Sequence, residues 1–283
     1  MRKTALLGVI CWLNACGTSS APPASPPFAQ PRAPEAPAAP AAETEALPKR
    51  DQQLPAVDDQ PQPSGFDLVA LPVPGFLDAV VALPRSSAPK PLAVATHGAG
   101  GGPEWPCHAW GQRLAGERVV LCLRGKAISA RENYGFYYPD HHALGAELAA
   151  AVAACRAAMP SRLTDAPILY TGYSQGASMG SLALAEHGAH YPYLVLTEGG
   201  FKEWSAQNAR RFAQSGGKRV LFVCGGRGCR DHAVKSARML ESAGVATRVE
   251  HVPHGGHTDD GAVGARLDAT YRWVLEESEQ APH

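Results

Sequence analysis

Residues 170–180 read YTGYSQGASMG and place Ser174 between Gly172 and Gly176 in a G-x-S-x-G pattern. A serine hydroxyl is a poor nucleophile until a base takes its proton, and that base needs a carboxylate to orient it and stabilise its charged form. Residues of both types stand downstream. The stretch HVPHGGHTDDG holds His251, His254 and His257. His257 follows two glycines in a loop from which a ring can swing over a serine, so it is the first choice of base. His254 is the second choice, and His251 falls within a strand. For the carboxylate, Asp231 in CGGRGCRDHA is the first candidate and Glu198 in LVLTEGG, at the end of an earlier strand, is its rival. Asp231 also suits a helix N-cap. Asp259 and Asp260 stand too close to His257 in sequence to form a separate arm. The developing oxyanion needs preorganised N–H donors. The backbone of Gln175 supplies one, and Gly98 or Ala99 in the upstream HGAGG loop supplies the other, with His97 shaping that loop. The H-x-x-H-x-x-H spacing invites a metal reading, but no helix aligns the rings and no convincing carboxylate joins them. Neither a metal nor a cofactor is expected.

These residues must be carried to one place by regular elements. PLAVATHGAGG, RVVLCLRG, APILYTGYSQG, YPYLVLTEGG, KRVLFVCGG and VATRVEHV read as buried strands, several ending in glycine loops. FDLVALPVPGFLDAVVALP reads as one or two strands with a turn near Pro74-Gly75. Helical patterns cover 143–159, 177–187, a segment around 204–212, and 262–277. Continuous apolar strands with helices between them predict an α/β fold, a mostly parallel, doubly wound sheet whose sites lie at the carboxyl ends of the strands. Ser174 then stands between a strand and a helix, the setting that a nucleophile elbow requires. About twenty residues separate the strand before Glu198 from the next, too few for a cap domain. The aromatic segments PEWPCHAW, with Trp105, His108 and Trp110, and ENYGFYYPDHH, with Tyr134, Phe136, Tyr137 and Tyr138, either line the site or pack over the sheet.

GYSQG, HGAGG and the late GGH together resemble the α/β-hydrolase superfamily, in particular small esterases related to dienelactone hydrolases and the phospholipase/carboxylesterase group. The resemblance covers roughly 66–278. It implies an eight-stranded type of sheet and hydrolysis of acyl esters through an acyl-enzyme on Ser174, and Ser174, Asp231, His257 is the chain order expected of that architecture. One departure is the loop before Asp231, which is longer than the family's short G-x-x-D turn and bears cysteines.

The N-terminus, MRKTALLGVICWLNAC, has a basic start and a short apolar stretch, the layout of an export signal. Leu13-Asn14-Ala15-Cys16 resembles the lipobox of bacterial lipoproteins, which implies lipidation of Cys16. Asn14 is an unusual occupant of that motif and leaves cleavage by an ordinary signal peptidase as the alternative. Residues 17–63 are rich in proline and alanine and read as a disordered tether, with the hydrolase domain over 64–283. Lysine and arginine together number 26, as do aspartate and glutamate, so nothing points to a nucleic-acid partner. Beyond Cys16 the cysteines are Cys107, Cys122, Cys155, Cys224 and Cys229. In an exported protein Cys224 and Cys229 are the expected local disulfide, while Cys122 and Cys155 suit small core positions. The expected protein is an exported serine esterase, either lipid-anchored at the membrane or free in the periplasm or medium. Its substrate is a small-molecule or polymer ester. A peptidase using the same triad, or an inactive binding lipoprotein of the same fold, are the alternatives.

Overall fold

The computed structural model describes residues 65–130 and 134–276. The signal segment with Cys16 and the tether over 17–63 lie outside these residues. The elements follow the apolar runs. A hairpin of β1 (Phe66–Leu71) and β2 (Ala79–Pro84) leads into β3 (Leu92–Thr96), α1 (Glu104–Arg113) and β4 (Val119–Cys122). A short ribbon of β5 (Lys126–Ala127) and β6 (Phe136–Tyr137) precedes α2 (His141–Ala158). Then come β7 (Leu169–Tyr173), α3 (Gln175–Ala183), β8 (Tyr193–Thr197), α4 (Ala206–Gln214), β9 (Arg219–Cys224), α5 (Arg227–Ser242), β10 (Ala246–His251) and α6 (Gly261–Thr270).

Eight strands form one sheet in the order β1-β2-β4-β3-β7-β8-β9-β10. From β4 to β10 all neighbours are parallel, while β2 runs antiparallel to both β1 and β4. Successive side chains of a strand point to opposite faces. Accordingly Leu92, Val94, Leu194 and Leu196 enter one apolar layer with Leu144 and Leu148 of α2, Phe212 of α4 and Leu240 of α5. Their sequence neighbours Ala93, Ala95, Tyr193 and Val195 enter the other, with Trp110 of α1 and Val263 and Leu267 of α6. Burial of each such large apolar side chain contributes about 1.5–3 kcal/mol, so both faces of the central strands hold their helix layers to the sheet. Helix α2 starts where Asp140 accepts from the N–H groups of His142 (2.8 Å) and Ala143 (2.9 Å), and it ends before Pro160. Between β8 and β9 stands one nine-residue helix, and no cap domain is inserted there. Among the described residues no helix is long and apolar enough to cross a membrane.

Three local expectations are corrected. PEWPCHAW belongs to helix α1; its Pro106 sits in the first turn, where the missing N–H costs nothing. The stretch after Cys224 turns into α5 at Arg227, so Asp231 rides on a helix rather than in a loop. Cys122 is not a lone core residue: it forms a disulfide with Cys107, joining the end of β4 to α1 across a Cα separation of 5.6 Å. Cys224 and Cys229 form the second disulfide, and Cys155 is a buried free thiol that burial pushes up to about 12.

Candidate active site

Strand β7 delivers Ser174 to the carboxyl edge of the sheet and α3 begins at the next residue. The serine occupies φ 49° and ψ −114°, a backbone state that costs a non-glycine residue about 1–3 kcal/mol and persists only where the surroundings over-determine it. The flanking glycines supply that constraint. A Cβ at Gly172 would lie 2.6 Å from the Ala177 nitrogen, and one at Gly176 would lie 2.7 Å from the His97 carbonyl oxygen. Both positions therefore exclude a side chain, as the G-x-S-x-G reading requires. The Ser174 N–H donates to the Thr197 carbonyl at 2.9 Å and ties the elbow to the end of β8.

His257 comes to Ser174 from the loop after β10. Its Nε2 lies 2.8 Å from Ser174 Oγ, and its Nδ1 lies 3.2 Å from Oε2 of Glu198. Glu198 is thus the carboxylate that the fold brings to the histidine. It is 6% exposed, has φ 51°, and its Oε1 accepts from the N–H groups of Gly225 and Gly226, the latter at 3.3 Å. Asp231, the first candidate, stands elsewhere: it is exposed on α5, and Arg230 donates to it from Nε at 2.9 Å. That Arg230 contact holds the Asp231 carboxyl below the usual carboxylate range. His254 is exposed in the turn after β10 at φ 61°, and among the described residues it makes no hydrogen bond to Ser174.

Tyr173 and the side chain of Gln175 make contacts near the centre that sequence reasoning did not reach. The Tyr173 hydroxyl donates to the His257 carbonyl at 2.8 Å, and its ring lies 5.4 Å from the imidazole, so the residue before the serine helps to seat His257. Burial pushes the Tyr173 phenol up to about 12, which keeps it a donor. The Gln175 side chain accepts from the Tyr138 N–H at 2.9 Å and links the elbow to the β5–β6 ribbon. The signal for Glu198 was present in TEGG. A Cβ at Gly199 would lie 2.1 Å from the Ser174 carbonyl oxygen, so that glycine marks where the β8 loop packs on the elbow.

The HGAGG loop closes over the serine from β3. A Cβ at Gly98 would lie 3.0 Å from Ser174 Cβ, and Gly101 donates to the Gly98 carbonyl at 3.0 Å. Gly100 donates to Phe136 of β6 at 2.9 Å, which anchors the loop to the ribbon. The N–H groups of Gln175, Gly98 and Ala99 donate to no oxygen of the described residues. His97 is buried with its ring nitrogens 2.7 Å from the Gly98 carbonyl and 2.8 Å from the Arg124 carbonyl, and it stacks on Tyr138 at 4.8 Å. Burial lowers its pKa while both carbonyl contacts oppose the shift. Its place is that of a loop-shaping residue.

The aromatic segments divide between core and surface. Tyr138 and Trp110 are packing residues, the latter edge-on to Tyr271, whereas Trp105 and Tyr134 are exposed. With the His257 side chain 60% exposed, the centre is open to solvent.

The sequence matches no protein-family model and no curated protein. The structure is similar to TT1662 from Thermus thermophilus, with a TM-score of 0.58 at 18% identity over 77% of this chain and 99% of that one. It is similar to an acylaminoacyl peptidase of Pyrococcus horikoshii, with a TM-score of 0.54 at 15% identity over 76% of this chain but only 41% of the peptidase. A hyperthermophilic esterase from Pyrobaculum calidifontis gives a TM-score of 0.51 at 14% identity over 76% of this chain and 86% of the esterase. These likenesses are of fold: the eight-stranded, mostly parallel sheet with flanking helices is the fold of the α/β-hydrolases.

Proposed function

We propose that this chain is a serine hydrolase that cleaves carboxylic esters through an acyl-enzyme on Ser174. The observation that carries the reading is the continuous chain from Ser174 Oγ to His257 Nε2 (2.8 Å) and from His257 Nδ1 to buried Glu198 (3.2 Å). In this reading His257 takes the Ser174 proton as Oγ attacks the ester carbonyl, and Glu198 holds the ring in the tautomer that leaves Nε2 free as base. The N–H of Gln175 and that of Gly98 or Ala99 receive the oxyanion. His257 then passes its proton to the leaving alcohol, and water repeats the cycle to release the acid.

The open centre, without a cap domain, suits esters that need no interfacial lid. The likeness to an acylaminoacyl peptidase makes an amide substrate the second reading. The lipobox-like Leu13–Cys16 and the proline-rich 17–63 support an exported domain tethered to a membrane through lipid on Cys16.

Hydrolysis of short p-nitrophenyl esters, labelling of Ser174 by a fluorophosphonate, and loss of both in Ser174→Ala test the reaction. A protein that neither hydrolyses esters nor takes the probe is not a serine hydrolase. A panel of esters against peptide amides separates the two substrate readings. Metabolic labelling with a clickable fatty acid, lost in Cys16→Ala, tests the anchor.

A further inference from the structure

The turn that holds Glu198 is closed by a disulfide. Cys224 is the last residue of β9 and Cys229 lies in the first turn of α5, so their bond spans Gly225 and Gly226, whose N–H groups both donate to Glu198 Oε1. The oxygen of Glu198 and both sulfurs lie within 4.8 Å of one another, and all three residues are buried. The same turn also touches the base loop. Gly256, the residue before His257, donates to the Gly225 carbonyl at 3.3 Å, and a Cβ at Gly225 would lie 2.2 Å from the Gly256 carbonyl oxygen. The stapled turn therefore touches both the carboxylate and the loop that carries His257.

We propose that the Cys224–Cys229 disulfide is a positioning element of the triad, holding the Gly225–Gly226 amides on Glu198 so that Oε2 stays aimed at His257 Nδ1. A carboxylate with both amides in place presents its second oxygen in one direction. Glycines at both amide positions make the free turn mobile, and a bond between the strand end and the helix start removes that freedom. The inference rests on the triad reading given above. The pair itself touches no substrate; it acts through Glu198 and the seat of His257.

The test uses the full chain, with ¹⁵N-histidine NMR reporting the tautomer of His257 and steady-state hydrolysis of p-nitrophenyl butyrate reporting kcat and KM. In Cys224→Ala/Cys229→Ala, His257 is expected to pass from a dominant Nδ1–H form to a mixture of tautomers, and kcat to fall about tenfold with KM changed by less than about twofold. Dithiothreitol should reproduce both effects in the wild-type protein. It delivers two electrons and two protons, giving two cysteine thiols while it closes to its own cyclic disulfide. The Cys107–Cys122 bond, on the opposite layer of the sheet, serves as the control: Cys107→Ala/Cys122→Ala keeps the wild-type tautomer until dithiothreitol is added. If the Cys224/Cys229 variant does not fold, that control protein, reduced in its native state, isolates the same bond. An unchanged tautomer and an unchanged kcat after loss or reduction of Cys224–Cys229 overturn the inference. A wild-type protein that hydrolyses no ester and takes no fluorophosphonate overturns the enzyme reading instead, and the tautomer measurement still judges the disulfide.

Discussion

Strands β8 and β9 are parallel neighbours, buried nearly throughout, and each is followed by a glycine pair and an acidic residue, Glu198 directly after β8 and Asp231 in the second turn of the helix after β9. Their ends nevertheless behave oppositely. At the end of β8 the chain turns at once through φ 51° at Glu198, which buries the carboxylate and packs Gly199 on the serine elbow. At the end of β9 the glycines lead into α5, and by Asp231 the helix has carried the acid outward to solvent and to Arg230. The two ends then cooperate, since the β9 glycines lend their N–H groups to the β8 carboxylate. Loop position at the carboxyl edge is thus insufficient to identify a triad acid; the turn that immediately follows the strand decides whether the side chain faces the histidine.

Substitutions can break this comparison in order of expected effect. Ser174→Ala sets the floor, with kcat for ester hydrolysis lowered about 10⁶-fold. Glu198→Gln should lower kcat about 10⁴-fold by favouring the wrong imidazole tautomer, with KM little changed, in the same steady-state assay. Gly199→Ala places a methyl against the Ser174 carbonyl and should destabilise the fold by about 1–3 kcal/mol in urea unfolding. Tyr173→Phe removes one neutral hydrogen bond to the His257 backbone and should cost about 1 kcal/mol, read as a roughly fivefold lower kcat. Asp231→Asn should leave kcat within about twofold of wild type, because only an exposed pair with Arg230 is lost. A large effect of Asp231→Asn together with a small one of Glu198→Gln would reverse the assignment of the two strand ends.

The legibility of the elements followed the same physics. The inner strands were readable because strands covered on both faces are nearly continuous apolar runs, as in RVVLC and YLVLT. Helix α5 was not, since its buried stripe is built from small residues (Ala233, Ser236, Ala237) and ends in a single large one, Leu240. Helix α1 was hidden by Pro106 and by aromatic residues that read as a loop, although Trp110 is a core residue.

The sequence by itself determined the α/β class, the elbow at Ser174, the HGAGG loop that closes on it, and His257 as the ring that reaches it. These depend on local chemistry: glycine where a Cβ cannot fit, apolar runs where strands are buried, a loop histidine free to swing. Only the tertiary structure brought Glu198, rather than Asp231, to His257 and joined Cys107 to Cys122. The reason is the turn taken at each strand end. Glu198 turns back at φ 51° towards the elbow, while the chain after Cys224 passes into α5 and carries Asp231 outward. Periodicity along a chain carries no record of the turn that follows each strand or of which strands become neighbours, and the acid that meets His257 is set by the turn at Glu198, the residue after β8.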